Sequence, residues 1–120
     1  MRTINNGSLY LVISEEYGSL RTAAEIAAAA ISGGADILQL REKKKSAQEI
    51  LKIGETILTL CRVLGVTFII NDDPLLARRI GADGVHLGQE DIERFSIEKA
   101  RDVMGRDRII GVSTHSLDQL

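Results

Sequence analysis

The sequence predicts an α/β protein built on a parallel sheet, and three observations carry that expectation. Short apolar runs alternate with helical stretches four and a half times along the chain. A Gly-Ala-Asp string precedes both the second and the fourth apolar run. Polar side chains collect just after the runs end, at the strand ends where parallel sheets gather ligands.

The elements follow in order. Leu9 to Ile13 reads as a strand, polar Ser14 to Ser19 as a loop, and alanine-rich Leu20 to Ile31 as a helix stopped by Gly33-Gly34. Ala27 to Ala30 are small enough to bring that helix close to a sheet. Asp36 to Leu40 is a second strand. Ser46 with Glu49 fits a capping box, after which Ile50, Ile53, Ile57, Leu60, Cys61 and Leu64 recur at helical spacing up to Gly65. Thr67 to Ile70 is a β-branched and aromatic strand that ends in Asn71-Asp72-Asp73-Pro74, an Asp cap and a first-turn proline for a helix running to Ile80. Gly84 to Leu87 is a fourth strand, Ser96 to Met104 a fourth helix with Ile97, Ala100, Val103 and Met104 on one side, and Arg108 to Val112 a fifth strand. Ser116 to Leu120 resembles the opening turn of a further helix.

Gly34-Ala35-Asp36-Ile37-Leu38-Gln39-Leu40 echoes Gly81-Ala82-Asp83-Gly84-Val85-His86-Leu87 at an offset of 47 residues, the length of two strand–helix units. A pattern repeating every second unit suits a (β/α)8 barrel, where alternate strands feed the same interior layers. Residues 1–120 are therefore expected to form a single partial (β/α) barrel domain, the first four and a half units, truncated at its C-terminal end.

Composition narrows the function. With 15 Lys+Arg against 17 Asp+Glu the formal charge is −2, which lacks the basic excess of a nucleic-acid binder. The aromatic residues are two Tyr and two Phe with no Trp, too few for a base-stacking platform. One cysteine cannot form an internal disulfide and suits a reducing compartment. No run approaches the roughly 20 apolar residues that span a bilayer. A cytoplasmic protein without membrane or nucleic-acid partners is expected.

The strand ends carry Gln39, Arg41 and Lys43; Asn71 and Asp72; His86, Gln89 and Asp91; and Ser113, Thr114 and His115. Strand alternation sets Ile37, Gln39 and Arg41 on one face, with Leu38 and Leu40 on the helix-covered other. By the same parity His86 and Ser113 join the first face. Arg41 offers a planar fork for phosphate oxygens and Lys43 a point charge, while Asp72 and Asp91 are oxygen donors suited to Mg²⁺, which takes one or two carboxylates plus substrate phosphates. The set reads as a diphosphate–Mg²⁺ site, with no base and nucleophile paired for covalent catalysis. Structural roles compete at each position. Asp73 is a helix cap and stands outside the site, and Asp72 can cap as well. Lys43 lies in a run of three lysines, which solvent alone would explain. His86 could be a hydrogen-bonded core histidine, Ser113, Thr114 and His115 caps, and Cys61 a core residue.

Taken together, Gln39-Leu40-Arg41-Glu42-Lys43, Ile70-Asn71-Asp72, the stretch Gly81 to Asp91, and Ile110-Gly111-Val112-Ser113-Thr114-His115 resemble the thiamine-phosphate synthase family over nearly the whole chain. The resemblance implies a transferase that joins a hydroxymethylpyrimidine diphosphate to a thiazole phosphate with release of diphosphate, these two small molecules being its partners. It implies that Gln39, Arg41, Lys43 and Asn71 contact the pyrimidine diphosphate, that His86 lines the pyrimidine pocket, that Asp72 and Asp91 hold Mg²⁺, and that Ser113 touches the departing diphosphate. Arg41, Lys43 and Ser113 are then the catalytic set, working by charge and position in a dissociative reaction. The related aminothiazole tautomerases share the fold but are expected to lack the metal carboxylates, so Asp91, Asn71-Asp72 and Lys43 favour the synthase. The family's chain continues to eight strands, and the part beyond would carry the thiazole-phosphate loops. A half-barrel leaves an open edge, so a homo-oligomer or a fragment of a longer product is expected. Two readings from other classes stand beside it: a flavodoxin-like receiver domain with Asp72 as its phosphorylated aspartate, and a non-catalytic half-barrel.

Overall fold

A computed structural model gives the fold of residues 8–16, 21–88 and 96–112. The expected helix start at Leu20, the site residues Gln89, Asp91, Ser113, Thr114 and His115, and the terminal turn at Ser116 to Leu120 lie outside these described residues.

Five parallel strands, β1 (Tyr10–Ile13), β2 (Ile37–Leu40), β3 (Thr67–Asn71), β4 (Gly84–Leu87) and β5 (Ile109–Val112), alternate with helices α1 (Ala23–Ser32), α2 (Ala47–Leu64), α3 (Pro74–Ile80) and α4 (Ile97–Met104). The strands lie in the sheet in chain order, each adding to the same side of the last. That is the winding of a barrel. A flavodoxin-like receiver doubles back after its first strand, in the order 2-1-3-4-5, so the strand order overturns the receiver reading.

Capping chemistry sets the helix ends. Ser46 and Glu49 form the expected capping box on α2, and Asp73 caps α3 through Leu76 N–H at 3.0 Å. A second capping box, Thr22 with Glu25, opens α1 at Ala23. Its side chain and backbone satisfy amide groups that a helix start leaves bare, which fixes the boundary more sharply than alanine content does. In the expected alanine cluster only Ala27 is fully buried. It joins Ala23 one turn earlier on the face toward the sheet.

The two faces of the sheet differ. Leu38, Leu40, Phe68, Ile70, Val85 and Leu87 point at the helices and are buried with Ile57, Cys61, Leu76, Ala77 and Ala100. Burying each large side chain of this kind contributes about 1.5–3 kcal/mol. Of the expected apolar face of α4, Ala100 and Met104 are buried, while Ile97 is about half exposed at 47%. The opposite sheet face is concave and carries Tyr10, Val12, Ile37, Gln39, Ile69, Asn71 and His86.

The Gly-Ala-Asp echo has a structural cause. Asp36 accepts a hydrogen bond from the Leu9 amide at 3.0 Å, and Asp83 accepts one from the Phe68 amide at 2.8 Å. Each aspartate therefore ties the start of its own strand to the start of the strand before it. Asp83, almost wholly buried, also pairs with Arg62 of α2 at 3.0 Å.

Candidate active site at the strand ends

The concave face encloses a cavity of about 650 Å³ whose lining includes Tyr10, Gln39, Arg41, Asn71, His86 and Gly111. Sequence parity places Gln39, Arg41 and His86 here, and the structure brings them together on this face. Asn71 joins them because β3 runs one residue beyond Ile70, so Asn71 sits in register with His86 on β4.

A belt of hydrogen bonds crosses three strands at this level. Asn71 Nδ2 donates to Gln39 Oε1 at 3.0 Å, and Gln39 Nε2 donates to the Tyr10 hydroxyl at 2.9 Å. Gln39 is only 4% exposed, so both ends of its amide need partners and have them. The belt fixes which way each amide points. Burial pushes the Tyr10 phenol above its ordinary pKa, against the opposing effect of the Gln39 hydrogen bond. The phenol is therefore a neutral group at neutral pH and no base.

Above the belt, Lys43 pairs with Asp72 across the ends of β2 and β3. Asp72 has a left-handed backbone, φ +78°, and its amide donates to the His86 carbonyl at 2.8 Å. Aspartate is one of the few residues that tolerates this conformation. The turn aims Asp72 at the β2 loop while Asp73, next in line, is spent on capping α3. A smaller hollow of about 370 Å³ continues from here between the N-terminal ends of α2 and α3, lined by Asn71, Asp72 and Glu42 among others.

Sequence reasoning missed three contributors. Tyr10 read as strand filler, yet its hydroxyl anchors the belt. Gly111 gives His86 its room, since a Cβ there would lie 2.9 Å from His86 Nδ1. Glu42, between the two cations, binds the neighbouring loop. A glycine directly opposite a histidine one strand away was a legible signal for the second; nothing local marked the other two. Cys61 is buried, and burial pushes its thiol up to about 11, so it is a core thiol with no nucleophilic form near neutral pH.

The donor set tests the fit of Mg²⁺. Among the described residues no three His, Cys, Asp or Glu side chains converge as a metal cage. Asp72, lining the smaller hollow, offers one carboxylate, which suits an ion that takes one or two protein carboxylates and completes its shell with phosphate and water.

A parallel sheet wound in strand order, with amides and cations at its C-terminal rim, defines a (β/α) barrel scaffold with a polar ligand site at its mouth. Residues 9–120 match the model of the thiamine monophosphate synthase family, TMP-TENI, and the chain belongs to that family. It is 47% identical over 104 residues to the thiamine-phosphate synthase of Haloquadratum walsbyi, taking in 87% of this chain and 45% of that protein. The thiamine-phosphate synthase of Campylobacter jejuni is 43% identical over 113 residues, 94% of this chain and 52% of that one. The solved thiamine phosphate pyrophosphorylase of Pyrococcus furiosus superposes with a TM-score of 0.79 at 35% identity, over 92% of this chain and 52% of its own. The chain thus spans about half the length of the relatives it matches.

Proposed function

We propose that this chain carries the pyrimidine-diphosphate half of a thiamine-phosphate synthase site, in a transferase that couples hydroxymethylpyrimidine diphosphate to hydroxyethylthiazole phosphate and releases diphosphate. The observation that carries the reading is the convergence of Gln39, Arg41, Asn71 and His86 on one concavity, with Lys43 and Asp72 paired just past the ends of β2 and β3, the strands that carry Gln39 and Asn71. Those are the residues the family resemblance singles out.

In this reading the belt orients the Gln39 and Asn71 amides toward the pyrimidine end of the donor, and His86 walls the same pocket. Arg41 and Lys43 meet the diphosphate oxygens, the guanidinium as a fork and the ammonium as a point charge. Bound Mg²⁺, held by Asp72 and Asp91, would neutralise charge on the leaving diphosphate. Ser113 would donate to that same group. Departure of the diphosphate is then favoured by electrostatics fixed in advance, and no side chain has to remove a proton from carbon. The described strands β1 and β5 have no outer strand neighbour, so we also propose that further strand–helix units, from a second copy or from continuing chain, cover these edges. The lone buried cysteine suits a reducing interior, and the cytoplasm is the proposed location.

Steady-state assay tests this reading. With both substrates and Mg²⁺ the protein is expected to form thiamine phosphate and diphosphate in equal amounts, and Asp91→Ala to lose the Mg²⁺-dependent release. A folded protein that binds the pyrimidine diphosphate and forms no product would instead be a non-catalytic half-barrel. Unchanged release by Asp91→Ala would remove that residue from the metal site.

A further inference from the structure

We infer that Glu42 is a positioning residue for anion recognition, its carboxylate fastening the loop after β2 to the loop after β1 so that Arg41 and Lys43 are held at the mouth of the cavity. The inference rests on the proposed diphosphate site and adds a residue that does not touch the ligand.

Glu42 stands between the two cations. A carboxylate there repels the same anion that Arg41 and Lys43 attract, so on charge alone it weakens the site. Its contacts point elsewhere. One carboxylate oxygen accepts the hydroxyl proton of Ser14, which is 2% exposed, and the other accepts the Glu15 amide at 3.1 Å. The Ser14 oxygen in turn accepts the Glu16 amide at 3.1 Å. Glu15 extends the network, accepting the Ala23 amide at the start of α1 and pairing with Lys45 Nζ at 2.9 Å. The loop from Arg41 to Lys45 is therefore tied at four points: the Arg41 amide to the Ile13 carbonyl at 3.0 Å, Glu42 to Ser14 and Glu15, Lys44 to Glu16 at 3.1 Å with the lysine side chain largely exposed, and Lys45 to Glu15. Of these only the Glu42 tie is made by a side chain directly between the two residues that must face the ligand.

The sign of one substitution separates the two influences of Glu42. Glu42→Gln removes a negative charge beside an anion site and leaves one acceptor oxygen where two carboxylate oxygens stood, so the ties to the Ser14 hydroxyl and the Glu15 amide lose their charge assistance. Electrostatics alone predicts tighter anion binding, whereas loss of positioning predicts weaker binding. Ser14→Ala removes the hydroxyl that holds one Glu42 oxygen without altering charge, and keeps the test alive should Glu42→Gln fold poorly. Glu16→Gln removes a charge from the same neighbourhood and gives up only the solvent-exposed Lys44 pair, a kind of contact worth little, while both Glu42 contacts stay, because Glu16 reaches Ser14 through its backbone.

The experiment is calorimetric titration of the protein and these variants with inorganic diphosphate in the presence of Mg²⁺, beside amide hydrogen exchange of residues 41–45 without ligand. Glu42→Gln and Ser14→Ala are expected to weaken diphosphate binding by roughly tenfold, the scale of one charge-assisted hydrogen bond, and to speed exchange in that loop. Glu16→Gln is expected to bind as well as the parent or better. Equal or tighter binding by folded Glu42→Gln and Ser14→Ala overturns the inference and leaves the proposed function standing. A folded parent that binds no diphosphate overturns the proposed function, and the inference with it; the parent titration alone reads that case.

Discussion

Lys43 and Asp72 neutralise each other across the ends of β2 and β3, so a diphosphate at Lys43 or a divalent cation at Asp72, as proposed above, would compete with that pair. Asp72 forms the pair from a left-handed backbone that excludes most side chains. Asparagine tolerates the same conformation. Asp72→Asn is therefore expected to keep the thermal midpoint within a few degrees of the parent while losing Mg²⁺-dependent binding of the pyrimidine diphosphate, read by calorimetry and thermal unfolding on the same samples. Retained Mg²⁺ dependence would take Asp72 out of the metal site. A second residue-scale consequence concerns acid. The Lys45 hydrogen bond, followed by the Ala23 amide, holds the Glu15 carboxyl below its ordinary pKa. A depressed folded value means that the contribution is complete above the unfolded glutamate pKa and is lost as pH falls through the folded one. Urea midpoints recorded between about pH 7 and about pH 3 should fall less steeply for Glu15→Gln than for the parent; parallel curves would show that the Lys45 pair is too well solvated to matter.

Strands β4 and β5 approach closely at Gly84. A Cβ on Gly84 would lie 2.4 Å from the Ile109 carbonyl oxygen, a backbone atom that cannot turn aside, and 2.9 Å from Ile69 Cδ1. Gly84→Ala is expected to cost about 1–3 kcal/mol, the usual range for overpacking, measured as a shift of the urea midpoint. A neutral result would mean that β5 is held less tightly to β4 than the register implies. Most elements were legible because their ends carry chemistry of their own: Ser46 with Glu49, Asp73 before Pro74, Gly65 and Gly81 in the left-handed conformation after α2 and α3. Where the reading slipped, two signals competed. Alanine content drew the start of α1 back to Leu20, while the box of Thr22 and Glu25 sets it at Ala23. The strand expected over Thr67 to Ile70 runs one residue further, because the sheet ladder to His86 keeps Asn71 in β3.

The described strands wind in one direction and leave one sheet face lining an open cavity. That architecture is legible chiefly in the alternation of strands and helices, to which the Gly-Ala-Asp echo adds, its aspartates tying strand starts together. The inward side chains followed from strand parity: Gln39 and His86 alternate with apolar neighbours, and Arg41 continues the Gln39 row. What parity could not show is how the loops above the sheet hold one another. The Lys43 to Asp72 pair, the Tyr10 anchor and the Glu42 tie each join residues at least 27 positions apart, and no local pattern encodes such a distance. The measurement that tests the donor site most directly is calorimetric titration of the purified chain with hydroxymethylpyrimidine diphosphate, with and without Mg²⁺. Binding that requires Mg²⁺ is the expected result. A chain shown to be folded that binds no pyrimidine diphosphate under either condition would contradict the assignment of Gln39, Arg41, Lys43, Asn71 and Asp72 to a preformed donor half-site.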